Sequence, residues 1–107
     1  MIRETLKAKL IEYMKAHDAE RVGVVRMLIS AINNKEIAFR AQKLEMEDKH
    51  ILKVVKKEIK QRQDSIESYE KGNRQDLADA ERAEMVILEE MLAEFAPQET
   101  ETPQDEQ

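Results

Sequence analysis

The sequence predicts an all-α protein: a compact bundle of about four helices with a long antiparallel helical hairpin at its C-terminal end. Three observations predict it. Among 107 residues there are only two Gly and two Pro, and both Pro lie near the C-terminal end, so helix breakers are almost absent. The strong helix formers Ala, Leu, Met, Glu, Lys and Gln are abundant. Apolar residues recur at spacings of three and four along most of the chain, the signature of one-sided helices.

The first helix is expected over Ile2 to His17, with Ile2, Leu6, Leu10, Tyr13 and Met14 in one stripe. Asp18 has the right chemistry to cap the second, because its carboxylate can accept from a free N–H of the first turn. That helix, about Ala19 to Gln42, is apolar on most of its circumference between Val22 and Ile32, which marks a central element. Within it, Gly23 is expected at a close backbone approach. Ser30 is expected in the apolar centre, bonded back to a helix carbonyl. Ile37 and Phe39 can continue the contacts beyond Asn33 and Asn34.

After a bend at Leu44 to Asp48, the third helix should run from about Glu47 to Lys71, with Ile51, Val54, Val55, Ile59, Ile66 and Tyr69 as its stripe. Gly72 then supplies the left-handed residue that stops it. Asn73 caps the fourth helix with Asp76 in a variant capping box. The fourth helix reaches about Phe95, with Leu77, Ala80, Glu84, Leu88, Met91, Leu92 and Phe95 facing inward or nearly so. So short a connection makes the last two helices antiparallel neighbours. Residues 1–96 therefore read as one helical domain. Residues 97–107, PQETETPQDEQ, have no apolar side chain and read as a disordered acidic tail.

Composition excludes several kinds of chemistry. With no cysteine, the chain has no disulfide, thiolate metal site or Cys nucleophile. The N-terminal MIRETLKAKL lacks the apolar core of a secretory signal, and the most apolar stretch is too short to cross a bilayer. A cytoplasmic location without membrane contact is the expectation. Ser30, Ser65 and Ser68 lack a Gly-flanked turn to present them as nucleophiles. Two glycines far apart cannot form a phosphate-cradling loop. Glu47 and His50 share helical spacing, but a di-iron bundle needs a second such pair. No catalytic, cofactor or metal residues are expected.

Charge is unevenly placed. The chain carries −5 overall, with +4 over residues 35–62 and −11 over residues 63–107. Lys49, Lys53, Lys56, Lys57 and Lys60 recur at spacings of three and four, forming a stripe ~16 Å long at 1.5 Å per residue. Such a stripe can meet two or three phosphates of a nucleic-acid strand. No aromatic is interleaved, so base stacking is not offered. Arg62 interrupts the apolar stripe, which implies a partly buried guanidinium paired with Glu58 or, across the hairpin, with Glu81 or Glu84.

The segments KQRQDSI, GNRQDLA and ILEEML, in that order, resemble the GatB/YqeY domain. RVGVVRMLISAINNKEIA and ILKVVKKEIKQR are similar to its earlier helices, so the resemblance covers nearly all of residues 1–95. It implies an all-helical unit like the tail of the B subunit of the glutamine-dependent Asp-tRNA/Glu-tRNA amidotransferase, a tRNA-contacting appendage without its own chemistry. On that resemblance Asp64, Ser65, Gly72, Asn73, Asp76 and Leu77 are motif positions of the hairpin. Arg62 and Arg74 join the five lysines as candidate partner-binding residues. The chain departs from the family where Met91, Leu92 and Ala93 replace a usual Tyr-Leu-Pro. It also passes into an acidic segment where relatives carry a second small helical domain. The expected function is a non-catalytic accessory domain linked to tRNA or to the tRNA-dependent amidation machinery. The alternative is a helical protein–protein interaction module without nucleic-acid binding.

Overall fold

The computed structural model describes residues 1–96. They form four helices: α1 (Ile2–Lys15), α2 (Ala19–Ala41), α3 (Asp48–Lys71) and α4 (Gln75–Phe95). No strand occurs among the described residues, as the composition predicts. The expected tail at 97–107 lies outside them. Contacts divide the chain into two units, Met1–Val54 and Val55–Gln107.

In the first unit, α1 and α2 are antiparallel. Near the start of α1, Arg3 donates to Asn33 (3.2 Å) and pairs with Glu36 (3.2 Å). Near its end, Arg26 approaches the Met14 sulfur at 3.9 Å. Ile2 and Leu6 from α1 and Val24, Val25, Leu28 and Ile32 from α2 are buried. Burying a Leu or Val side chain of this kind stabilises by about 1.5–3 kcal/mol relative to leaving it in water. Asp18 caps α2 as expected, accepting the Arg21 N–H at 3.2 Å while its other oxygen takes the Arg21 guanidinium at 3.1 Å.

Two expectations for α2 fail. Gly23 is exposed, and a Cβ built there meets nothing within 4 Å, so no backbone packs against it. Ser30 is also exposed. Gly23, Arg26, Ser30, Asn33 and Asn34 follow helical spacing and are all exposed, so α2 carries a polar strip bordering α1 and is not apolar all round. Ile37 lies outside the core at 63% exposure, whereas Phe39 is half-buried.

Three helices end in the same way, each on a non-glycine residue in the left-handed region: His17 (φ 57°), Lys43 (φ 60°) and Asn73 (φ 60°). At each end two backbone bonds close over the last turn. Asp18 N–H reaches Tyr13 O (3.0 Å) and His17 N–H reaches Met14 O (3.1 Å). Leu44 bonds Phe39 and Lys43 bonds Arg40, both at 2.9 Å. Arg74 bonds Tyr69 (2.8 Å) and Asn73 bonds Glu70 (3.2 Å). This is the Schellman arrangement, which satisfies carbonyls the helix itself leaves open.

The third case corrects the reading of the turn. The left-handed residue is Asn73, and among the described residues no glycine has positive φ. Helix α3 runs one residue too far for Gly72 to take that role, and Asn is the side chain that tolerates it next best. Asn73 therefore does not cap α4. The cap position is Arg74, with no side-chain capping bond, and Asp76 lies in the first turn.

In the second unit, α3 from Val55 onward and α4 form the expected antiparallel hairpin. Arg62 meets Glu84 while Arg82 meets Glu70, so residue numbers fall on one helix as they rise on the other. Val55, Ile59 and Ile66 face the core with Ala78, Ile87, Leu88, Met91 and Ala96. The inward face of α4 differs from expectation at three positions: Ala78 and Ile87 are buried and Ala80 is exposed.

Candidate nucleic-acid interface

Helix α3 carries the residues singled out for binding. At 100° per residue, Lys49, Lys53, Lys56, Lys57 and Lys60 fall within an arc of about 100° on one face. Lys49, Lys53, Lys57 and Lys60 are exposed and Lys56 is half-buried. The buried residues Val55, Ile59 and Ile66 lie on another side of the helix, which is why the lysines remain in water.

Part of that charge is answered locally. The Lys60 ammonium lies 2.8 Å from Asp64, and this hydrogen bond raises its pKa above the ordinary lysine value. Lys49 reaches Glu47 only at 3.9 Å. Among the described residues no ion pair holds Lys53 or Lys57. Asp64 and Glu67 continue the same face beyond Lys60, so the basic stretch is bounded at its C-terminal end. The arrangement can hold two or three phosphates by charge, and it offers no ring for a base to stack on.

Arg62 and Arg74, also expected to bind a partner, are both engaged. Arg62 is 16% exposed and sits among three carboxylates. Its Nη1 donates to Glu58 at 2.9 Å, Nε and Nη2 lie 3.2 and 3.1 Å from Glu84, and Nε lies 3.8 Å from Glu81. One guanidinium thus ties its own helix to α4 through partners that the interrupted stripe pointed to. Its planar fork suits the task, because it can serve carboxylates on two sides at once. Arg74 makes a two-pronged contact with Asp76, at 3.2 and 3.1 Å. That contact holds the Asp76 carboxyl below its ordinary pKa. A second tie joins Arg82 to Glu70, with Asp79 beside it at 3.4 Å. Among the motif positions, Ser65 and Leu77 are half-buried, while Gly72, Asn73 and Asp76 are exposed at the turn.

Sequence reasoning missed the role of His50. Its Nδ1 accepts the Glu47 backbone N–H at 2.9 Å, so a histidine at the third helical position performs the reciprocal half of a capping box for α3. Its ring meets Phe39 edge-on, with centroids 4.7 Å apart. The Glu47/His50 spacing is thus that of a capping contact. Among the described residues no cluster of three His, Cys, Asp or Glu could hold a metal ion. No helix there is long and apolar enough to cross a membrane. A groove of about 130 Å³ lies between α1 and α2, lined by Arg3, Leu6, Lys7, Ile29, Ile32 and Asn33. It is smaller than the several hundred Å³ usual for small-molecule sites.

Paired antiparallel helices, a partly buried arginine tied to three carboxylates and a face of exposed lysines define a small all-α protein. The chain belongs to the YqeY-like protein family, whose profile matches residues 3–104. It is 30% identical over 95 residues to an uncharacterised protein of Schizosaccharomyces pombe, covering 89% of this chain and 75% of that protein. It is also similar to the protein called altered inheritance of mitochondria protein 41, mitochondrial. With that of Lachancea thermotolerans it shares 38% identity over 90 residues, 84% of this chain and 47% of the relative. With that of Vanderwaltozyma polyspora it shares 35% over 100 residues, 91% of this chain and 53% of the relative. The chain thus spans about half the length of these named relatives.

Their names correct the expected cytoplasmic location, since they point to mitochondria. That expectation rested on the lack of cysteine and of a secretory signal, and neither feature separates the cytoplasm from another compartment.

Proposed function

We propose that this chain is a non-catalytic YqeY-like accessory domain that contacts tRNA through the lysine face of α3, in the service of tRNA-dependent amidation. The observation that carries the reading is the run of exposed lysines on one helix face, two of them in no ion pair among the described residues. The resemblance to the amidotransferase tail domain supplies the RNA class. The protein's acidity elsewhere confines the contact to that face and works against indiscriminate binding, because the nearby field acts most strongly on a docked strand.

Fluorescence anisotropy of labelled bulk tRNA, titrated with protein, tests this. Two or three phosphate contacts give a slope of about −1.8 to −2.7 in log K against log salt, so affinity falls by roughly 12–40-fold between about 50 and 200 mM salt. Absence of binding at low salt overturns the proposal. It would turn attention to a protein partner, a reading favoured by the exposed apolar side chains Ile11 (56%) and Met14 (48%) on α1.

A further inference from the structure

We infer that the groove between α1 and α2 receives the outer face of α4 from a second copy of this chain, with Val86 seated on Leu6, Ile29 and Ile32. The inference is independent of the lysine face of α3.

The groove is the first observation. Leu6, Ile29 and Ile32 form its apolar floor, and Arg3, Lys7 and Asn33 stand around it. At about 130 Å³ it suits a single aliphatic side chain rather than a small molecule. Helical spacing sets Arg3, Lys7, Ile11 and Met14 along one side of α1, so the surface continues past Lys7 onto two exposed apolar side chains. Arg26 of α2 borders it, at the Met14 sulfur. The carboxylates closest in sequence are already answered, Glu4 by the Met1 ammonium (2.8 Å) and Glu36 by Arg3 (3.2 Å) and Arg40 (3.5 Å). Lys7 and Arg26 are exposed and in no ion pair among the described residues.

The outer face of α4 is the second. Val86 is 50% exposed, and among the described residues it is the one large apolar side chain exposed in the second unit. It points away from the buried Leu88 and Met91. Asp79, Glu89 and Glu90 are exposed beside it, and the nearby cation Arg82 is tied to Glu70. This helix offers one apolar side chain flanked by carboxylates. The groove offers one apolar hollow flanked by cations, the setting in which an amphipathic helix docks.

Charge selects the pairing. Residues 1–54 carry +3 and residues 55–96 carry −4. Groove against groove, or α4 against α4, would set like charges together, whereas groove against α4 sets opposite ones. Each copy holds both halves of the contact, so two copies can satisfy each other or further copies can add on.

The test is sedimentation of the full chain, freed of nucleic acid, in a concentration series up to about 1 mM, high enough to register a weak contact. The average mass should rise with concentration at about 10 mM salt and rise less at about 1 M, where the screening length is only about 3 Å. Val86→Ser should weaken association by about 3–10-fold through lost apolar burial. Lys7→Glu and Glu89→Lys should each weaken it by about 3–10-fold, because each sets like charges face to face. Mixed in equal parts, those two charge variants should associate as the wild type does, since every groove then finds an α4 of opposite sign. That recovery also shows both variants to be folded.

A monomer mass throughout the low-salt series overturns the inference. Association that survives all three substitutions overturns it too, as does a mixture that fails to recover. Association weakened by Lys53→Gln with Lys57→Gln, and not by Lys7→Glu, would place the contact on α3 and overturn the role of the groove.

Discussion

Replacing Arg62 by Met removes, among the described residues, the cation from a cluster of three carboxylates. Glu58 is 15% exposed, Glu81 25% and Glu84 40%, so two of the three stay poorly hydrated after the change. Charge centres about 4 Å apart attract by about 4 kcal/mol at an effective dielectric constant near 20, before desolvation is subtracted. Removing one partner of a fully buried pair costs about 3–5 kcal/mol, because the other charge is left uncompensated. Exposure of Glu84 and of the cluster's rim lowers that, and about 2–4 kcal/mol is expected here. For a domain of this size the melting temperature should fall by about 10–25 °C. Urea unfolding followed by circular dichroism reads the change as a lower midpoint at unchanged slope. Adding Glu58→Gln and Glu84→Gln to Arg62→Met should restore at least half of the loss, since the uncompensated charge is then gone. A loss below about 0.5 kcal/mol, or no recovery in the triple variant, would refute the view of Arg62 as a register lock.

Four further outcomes follow from local geometry. Lys43→Gly should stabilise by about 0.5–1 kcal/mol, because a left-handed lysine costs about 1–2 kcal/mol and glycine gives part of that back in backbone entropy. Asn73→Gly should gain less, since Asn tolerates that region, and urea midpoints of the two variants give the ranking. Gly23→Ala should stabilise α2 by about 0.5–1 kcal/mol, the new methyl meeting nothing within 4 Å; a loss on urea unfolding would show a close approach after all. Arg74→Gln should return the Asp76 carboxyl toward its ordinary pKa, read by carbon-detected titration. Its depressed folded-state pKa means that the contact stabilises above the ordinary aspartate pKa and is lost as pH falls through the folded value. The variant and wild type should therefore differ in stability at neutral pH and converge in acid.

Much of the fold is legible in the sequence because helix signals are local. Asp18 announces the start of α2, and the apolar stripe of α3 marks its buried face, whereas in α1 the stripe is buried only at Ile2 and Leu6 and ends on the exposed Met14. Arg62 is legible for a different reason: a charged residue in an apolar stripe must find partners, and helical spacing leaves few. Where the reading fails, two solutions had similar local chemistry. Gly72 and Asn73 can both take a left-handed conformation, and the last helical residue, Lys71, decides between them. Ala78 and Ala80 are both compatible with either face. Gly23 and Ser30 stand among apolar neighbours and so read as interior, although with Arg26 they trace a polar strip. The capping role of His50 depends on a backbone N–H that residue identity does not display. The lysine face is legible as a pattern, but its use depends on a partner and not on anything inside the chain.

The central claim is that this face binds phosphates, and Lys53→Gln with Lys57→Gln tests it most directly. The pair removes two exposed charges, neither in an ion pair among the described residues, from one side of α3. Anisotropy titrations of bulk tRNA across a salt series should show the slope reduced by about 1.5–2, with binding weakened alike for different tRNA species. A slope equal to that of the wild type would mean that the phosphates lie elsewhere, and the lysine face would no longer be the interface.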